Sequence, residues 1–309
     1  MKTFLIAFFC CLALLVVAPA HADEKSHVLI DGYDGAYQKS VERWQGAISK
    51  HDISGVSFVG RIPGNGYKDR HHRNGSRDTI IFLPAGLTPE KPVEVIYFFH
   101  GLGGFGKRDF EARLAPSIKK MMHQRRNFIL IVPELPWSSN TDTPRGRQGK
   151  AWQDKDGTTL VRFFLHVRHL FHVGLEIPVF DMNPIVTIVA HSGGGGALKT
   201  VARAKVLEVL RPDVIVMSES SYGNWASQIW KHYVKDHPDC KFVFLLLKGS
   251  EPYQRTTRLL KKIGPEQQNI KVKLYNRPQF SHMKVGDISL VDSAEFVYDL
   301  NKKEKTNEN

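Results

Sequence analysis

The chain alternates short runs of β-forming apolar residues with segments of helical pattern, and this alternation constrains the fold more than any other feature. Strands are predicted for eight runs, at residues 55–60, 78–84, 94–100, 128–134, 185–191, 213–219, 241–248 and 270–276. Helical patterns lie at about 107–125, 158–174, 194–210, 223–236, 254–264 and 290–303. The later strand runs are almost uninterrupted in apolar character, which is typical of strands covered on both faces. The sequence therefore predicts an α/β fold, with a mostly parallel central sheet of about eight strands and helices on both faces.

The segment AHSGGGG, residues 190–196, joins a predicted strand to a helical segment. This context is typical of the nucleophile elbow, G-x-S-x-G, in which a tight strand-to-helix turn exposes the serine. Gly194 supplies the second glycine, and Ala190, larger by one methyl group, occupies the first position. Lys199 and Thr200 follow the glycines, but Leu198 and not glycine precedes the lysine, so the run does not match the phosphate-binding Walker pattern G-x-x-x-x-G-K-[ST]. The pattern predicts that Ser192 is a nucleophile.

A serine nucleophile also requires an oxyanion site, a general base and an acid that orients the base. The glycine-rich run YFFHGLGGFG, residues 97–106, follows an earlier strand and can turn backbone N–H groups toward a reacting carbonyl. The predicted oxyanion donors are the N–H groups of Gly193 and Leu102, with Gly103 as an alternative. His282 lies after the last predicted strand and before the C-terminal helical pattern, where the base is expected.

Two carboxylates fit the position of the acid in the chain order serine, acid, histidine. Glu219 ends the strand at 213–219, whereas Glu251 follows the next strand, which is the commoner position in this architecture. The residues alone leave both open.

These motifs together resemble the α/β-hydrolase superfamily over about residues 78–300. More narrowly, HSGG at 191–194, ESSYG at 219–223 and HM at 282–283 resemble a bacterial secreted serine-hydrolase branch with an H-S-G-G elbow, a D-x-x-Y-G motif and an H-M pair. The resemblance implies an α/β-hydrolase fold and favours Glu219 as the acid, with glutamate where the branch has aspartate.

The expected activity is cleavage of an ester or amide bond through an acyl-enzyme. This mechanism uses Ser192, His282 and Glu219 and requires no cofactor and no metal. His191, Tyr222 and Trp137 are the candidate substrate-binding residues. The alternatives are an acyltransferase on the same machinery and a catalytically silent binding protein on a hydrolase scaffold.

Residues 136–159 interrupt the alternation with turn-forming and charged residues and contain two tryptophans, so they are expected to form a cap or rim over the site. A helical pattern places His166, His169 and His172 three residues apart. Metal-binding pairs favour a spacing of four with a further ligand elsewhere, so an ordinary helix surface is expected there.

The first 22 residues have the layout of a signal peptide, with Lys2, an apolar run and the small-residue ending APAHA. Cleavage is expected before Asp23, giving a secreted or periplasmic protein with no stable membrane span. Residues 23–303 would form the α/β-hydrolase domain and 304–309 a disordered tail.

The net charge of +12 suggests anionic surroundings or an anionic small-molecule or cell-envelope-derived substrate. The basic residues are scattered and lack interleaved aromatic residues, which argues against nucleic-acid binding.

Overall fold

The computed structural model describes residues 27–29, 53–61, 78–88, 91–101, 114–124, 126–133, 135, 158–174, 179–264 and 267–297. Within these residues the strands are β1 His27–Leu29, β2 Gly55–Arg61, β3 Asp78–Pro84, β4 Glu94–Phe99, β5 Phe128–Pro133, β6 Ile185–His191, β7 Val214–Ser218, β8 Lys241–Leu247 and β9 Ile270–Tyr275. The helices are α1 Ala115–His123, α2 Thr158–His169, α3 Gly194–Arg203, α4 Leu207–Leu210, α5 Trp225–His232, α6 Glu251–Ile263 and α7 His282–Asp292. A π-helical turn, Leu170–Gly174, continues α2, and 3₁₀ turns lie at Val179–Met182 and Val234–Asp236.

The strands form one sheet in the order β1-β2-β3-β5-β4-β6-β7-β8-β9. Strand β3 is antiparallel to both of its neighbours, and every other adjacent pair is parallel. The predicted α/β fold with a mostly parallel central sheet is therefore confirmed. Each predicted strand lies within one residue of its observed ends, and β1 is an additional strand too short for a periodic signal.

Both faces of the sheet are covered by helices. Side chains on alternate positions of a strand point to opposite faces. In β4, Tyr97 and Phe99 join the apolar layer that contains residues of α2, α3 and α5, whereas Ile96 and Phe98 join the layer that contains residues of α1 and α7. Burial on both faces explains why these strands are nearly continuous apolar runs in the sequence. None of the helices among the described residues has the length and apolar character that a bilayer crossing requires.

Two helices begin earlier than the sequence predicted, and both are capped by serine. Helix α6 begins at Glu251 because the Ser250 hydroxyl accepts the Tyr253 N–H at 3.1 Å. Helix α7 begins at His282, where Ser281 accepts the Lys284 N–H at 3.2 Å, so the prediction of a helix over 290–303 was wrong at its start. Capping by a serine hydroxyl leaves no apolar period in the sequence, which is why hydrophobic periodicity missed both starts.

The predicted helix over 194–210 is two helices, α3 and α4. They are separated by Lys205, which has a φ of 57°, outside the helical region. The predicted signal peptide, most of the predicted cap at 136–159 and the tail at 304–309 lie outside the described residues, and residues 158 and 159 begin α2.

A buried ion pair between Arg126 and Glu94 lies at the amino ends of the central strands. Arg126 donates from Nη2 to the carboxylate of Glu94, and from Nη1 to the Leu290 carbonyl at 2.6 Å. Thr187 donates to the other Glu94 oxygen at 2.8 Å. The two charged side chains are only 2% and 6% exposed. These contacts join β4, β6 and α7 at the sheet edge away from the strand ends that carry Ser192.

Arg126→Met leaves the buried Glu94 carboxylate without its charged partner. The substitution should therefore lower the free energy of unfolding by about 3–5 kcal/mol. The double variant Glu94→Leu/Arg126→Met removes both charges and should recover most of that loss. Urea unfolding followed by tryptophan fluorescence measures both.

Arg255→Met provides the control, because Arg255 forms an exposed pair with Glu251 within α6. Its cost should stay below about 0.5 kcal/mol. A double variant as unstable as Arg126→Met, or an Arg126→Met variant as stable as the control, would contradict this account of the pair.

Candidate active site

Ser192 lies in the tight turn between β6 and α3, at the carboxyl end of a central strand. Its φ is 50°, in the left-handed region, which costs a residue with a side chain about 1–2 kcal/mol. The backbone N–H of Ser192 donates to the Ser218 carbonyl at 3.0 Å and stabilises the turn. Ala190, fully buried, pairs with Phe99 on one neighbouring strand and Met217 on the other. The local geometry is that of a nucleophile elbow.

Gly194 allows α3 to approach the end of β4. A Cβ atom at this position would lie 2.1 Å from the Phe99 carbonyl oxygen, closer than any real contact. Gly101, in the loop after β4, approaches the serine as closely: a Cβ there would lie 2.9 Å from Ser192 Cβ. Both glycines are therefore required by space, and together they set the distance between the β4 loop and the serine.

The next two glycines make room for the loop after β7 and for an aromatic ring. A Cβ at Gly195 would lie 2.4 Å from the Ser220 carbonyl oxygen, and one at Gly196 would lie 3.2 Å from the indole ring of Trp225. The glycine run thus packs α3 against its neighbours.

Glu219 follows β7 directly and is only 1% exposed. Its Oε2 lies 3.3 Å from His282 Nδ1, and its Oε1 accepts hydrogen bonds from the Leu247 N–H at 2.7 Å and the Ser250 hydroxyl at 2.8 Å. A buried carboxylate needs such donors to offset the loss of water. Its φ of 46° is a second left-handed backbone in the site. Strained residues of this kind concentrate at functional sites.

Glu251, the alternative acid, lies elsewhere. It is exposed in the first turn of α6, where one carboxylate oxygen is 3.3 Å from Arg255 Nε. The structure therefore brings Glu219, and not Glu251, to His282.

His282 is the first residue of α7, and its side chain is 32% exposed. The ring of His191 lies 5.0 Å from the His282 ring, and His191 Nε2 is 3.3 Å from the His282 carbonyl oxygen. His191 is 1% exposed, so it supports the imidazole from the protein interior. In this state no hydrogen bond among the described residues joins the Ser192 hydroxyl to His282. Catalytic hydrogen bonds are often long in free enzymes and shorten when substrate binds.

Tyr222 lies half-buried beside Ser192 and His282. Its ring makes edge contacts with His282 at 6.3 Å and Trp225 at 5.7 Å between ring centres. The Ser192 hydroxyl lies close enough to the phenol to affect its pKa. Burial raises the pKa of Tyr222, the negative charge of Glu219 raises it further, and the Ser192 hydroxyl opposes the shift. The phenol therefore stays protonated at neutral pH and keeps a donor directed at the site.

His100 is a site residue that sequence reasoning did not single out. Its Nδ1 lies 2.7 Å from the Gly101 carbonyl oxygen, and its Nε2 accepts the Leu135 N–H at 2.7 Å. This pair of partners places the proton on Nδ1. The ring joins the loop after β4 to the end of β5 and so positions Gly101 beside Ser192. The only sequence signal was the His-Gly pair at a strand end.

The remaining predicted site residues are placed only in part. Gly193 is the N-cap of α3, and the first N–H groups of a helix have no intrahelical partner. Leu102, Gly103 and Trp137 lie outside the described residues. The three helical histidines, His166, His169 and His172, are exposed. Among the described residues no three His, Cys, Asp or Glu side chains are grouped as metal ligands.

No family model matches the chain, and no curated protein is similar to it in sequence. Among solved structures, an inhibited esterase B from Lactobacillus rhamnosis is 12% identical, with a TM-score of 0.48, covering 89% of this chain and 97% of that one. A feruloyl esterase module from Clostridium thermocellum is 13% identical, with a TM-score of 0.48 over 76% of this chain and 86% of that one. An S-formylglutathione hydrolase from Agrobacterium tumefaciens is 12% identical, with a TM-score of 0.47 over 79% and 95%.

The glycine contacts predict a graded response to alanine. Gly194→Ala should lower the free energy of unfolding by about 2–3 kcal/mol, because the methyl group meets backbone of β4 that cannot move aside. Gly196→Ala meets the edge of the Trp225 ring, which can shift by a few tenths of an ångström, and gains about 1 kcal/mol of helix propensity. Its net effect should be below about 1 kcal/mol. Urea unfolding measures both, and equal losses would contradict the assignment of the tight contact to Gly194.

Proposed function

We propose that this protein is an exported serine hydrolase that cleaves an ester or amide bond through an acyl-enzyme. The observation that carries the proposal is the contact of 3.3 Å between Glu219 Oε2 and His282 Nδ1, at the same sheet edge as Ser192 in its strained elbow. Ser192 and Glu219 directly follow β6 and β7, and His282 begins α7 after β9, in the chain order of the serine, acid and histidine of α/β-hydrolases.

In the proposed mechanism Ser192 Oγ attacks a carbonyl carbon while His282 Nε2 accepts its proton. The carboxylate of Glu219 holds Nδ1–H of the imidazole and stabilises the imidazolium that forms. The tetrahedral intermediate then collapses, the bond to the leaving group breaks, and His282 delivers the proton to that group. A water molecule activated by His282 hydrolyses the acyl-enzyme and releases Ser192.

The oxyanion is assigned to backbone N–H groups. Gly193 contributes one from the start of α3, where the helix dipole also favours negative charge. Leu102 is proposed as the second donor, because it follows Gly101 in the loop that packs against Ser192. One such donor typically contributes about 3–4 kcal/mol to transition-state stabilisation.

The substrate is proposed to be a small or cell-envelope-derived ester or amide. The signal-peptide layout of residues 1–22 supports export, and the charge of +12 supports an anionic substrate or surface. Tyr222 and Trp137 are proposed to contact it, whereas His191, at 1% exposed, is buried behind His282 and is proposed to support that ring. For Tyr222 the support is its half-buried ring beside Ser192 and His282.

A fluorophosphonate probe should label the purified protein stoichiometrically at Ser192, because an activated serine displaces fluoride from phosphorus. Peptide mass mapping locates the label. Ser192→Ala should abolish both labelling and ester turnover, by at least about 10⁴-fold. Well-folded wild-type protein that takes up no label would instead favour the silent binding protein.

The assignment of the acid predicts that Glu219→Gln lowers kcat by about 10³- to 10⁴-fold, since an amide holds the wrong imidazole tautomer. Glu251→Gln is the matched control and should stay within about twofold, because its side chain is exposed in α6. Turnover that survives Glu219→Gln and is lost in Glu251→Gln would overturn the assignment. Circular dichroism of both variants verifies folding.

A further inference from the structure

We propose that Tyr222 is a further catalytic residue, whose phenol donates a hydrogen bond to the leaving-group atom as the acyl-enzyme forms. The inference rests on the proposed function, and it assigns to this side chain a chemical step beyond substrate contact.

The topology places Tyr222 on the leaving-group side of Ser192. Strand β6, which carries the serine, has β4 on one side and β7 on the other. The loop after β4, with Gly101 packed against Ser192, supplies the oxyanion side. Tyr222 follows β7 and lies on the opposite side, with its ring against His282. A carbonyl oxygen bound toward β4 directs its leaving group toward His282 and Tyr222.

Backbone and ring contacts position Tyr222 here. The Trp225 N–H donates to the Tyr222 carbonyl at 3.0 Å, and Gly223, with a φ of 53°, closes that turn. The Trp225 ring in turn lies on α3, at the surface that Gly195 and Gly196 leave open. The glycine run after Ser192 thus positions Tyr222 as well as the serine.

The hydroxyl also stays in its donor form. Burial and the charge of Glu219 both raise the pKa of Tyr222, so the phenol holds its proton while His282 gains and loses one. A group of this kind supports proton transfer without exchanging its own proton.

The step balances without any additional reactant. The Ser192 oxygen bonds to the carbonyl carbon and its proton moves to His282. The bond between carbon and the leaving atom then breaks, and the imidazolium proton passes to that atom. Tyr222 donates a hydrogen bond to the developing negative charge on the leaving atom and retains its proton throughout. Its contribution should therefore grow with the basicity of the leaving group.

The test compares two esters of the same acyl group in wild type and Tyr222→Phe, which keeps the ring contacts and loses only the hydroxyl. Nitrophenolate leaves without a proton, whereas ethoxide requires one. We expect kcat/KM for the ethyl ester to fall about ten- to hundredfold and that for the 4-nitrophenyl ester to change less than about threefold. Tyr233→Phe removes a phenol at the far end of α5, where Tyr233 stacks on His237, and should leave both values unchanged.

Equal losses for the two esters, or no loss for either, overturn the inference and leave the proposed function in place. A wild-type protein that neither hydrolyses the nitrophenyl ester nor reacts with fluorophosphonate overturns the proposed function itself.

If Tyr222→Phe fails to fold, 3,5-difluorotyrosine at position 222 keeps the shape and makes the phenol more acidic. Its ionisation should then add a loss of ethyl-ester turnover at alkaline pH that the nitrophenyl ester does not show. The same pH profile for both esters overturns the inference.

Discussion

The contact between α3 and the end of β4 fixes the position of the candidate nucleophile, and most of the site depends on it. With only hydrogen at Gly194, the helix approaches the Phe99 carbonyl so closely that a methyl group would overlap it. Ser192, two residues earlier, must then leave the strand in one tight turn with a left-handed backbone. The conformational strain at the serine is a consequence of helix packing. It is offset by the packing of β4, which is buried throughout, and of β6, which is buried at every residue except Ile185.

The segment 219–222, which directly follows β7, supplies two groups of the candidate site, Glu219 and Tyr222. Glu219 Oε2 lies 3.3 Å from His282 Nδ1, and the Tyr222 ring packs edge-on against the His282 ring. Only Ser220 and Ser221 separate the two residues, and the turn at Gly223 follows Tyr222. Since one short segment carries both groups, a shift of this loop would disturb the orientation of the base and the position of the phenol together. The two serines between these groups are buried, with Ser220 and Ser221 no more than 1% exposed.

The sequence predicted the fold almost completely, because long apolar strands and their alternation with helices are properties of the chain itself. It predicted roles for Ser192, directly after a strand, and for His282, between the last strand and the C-terminal helix, and these roles stay predictions. It missed the roles of His100 and Ser250, which depend on hydrogen bonds to residues more than 30 positions away. It also placed the start of α7 too late, since one serine cap decides that boundary. Helices and strands can be predicted from local sequence patterns. The hydrogen bonds that orient the site residues join positions far apart in the chain, so a local pattern does not reveal them.

The ambiguity between the two acids has a structural origin in the length of glutamate. Glu219 begins at the end of β7, but its Oε1 is bonded to the N–H of Leu247, the last residue of β8, and to Ser250 just beyond it. The carboxylate is thereby delivered to the end of β8, where an acid that followed that strand would lie. An aspartate at 219 is shorter by one methylene group and would lose either these donors or His282. The left-handed backbone at Glu219 and the two donors at the end of β8, Leu247 and Ser250, together allow the longer side chain to place its carboxylate where the acid is expected.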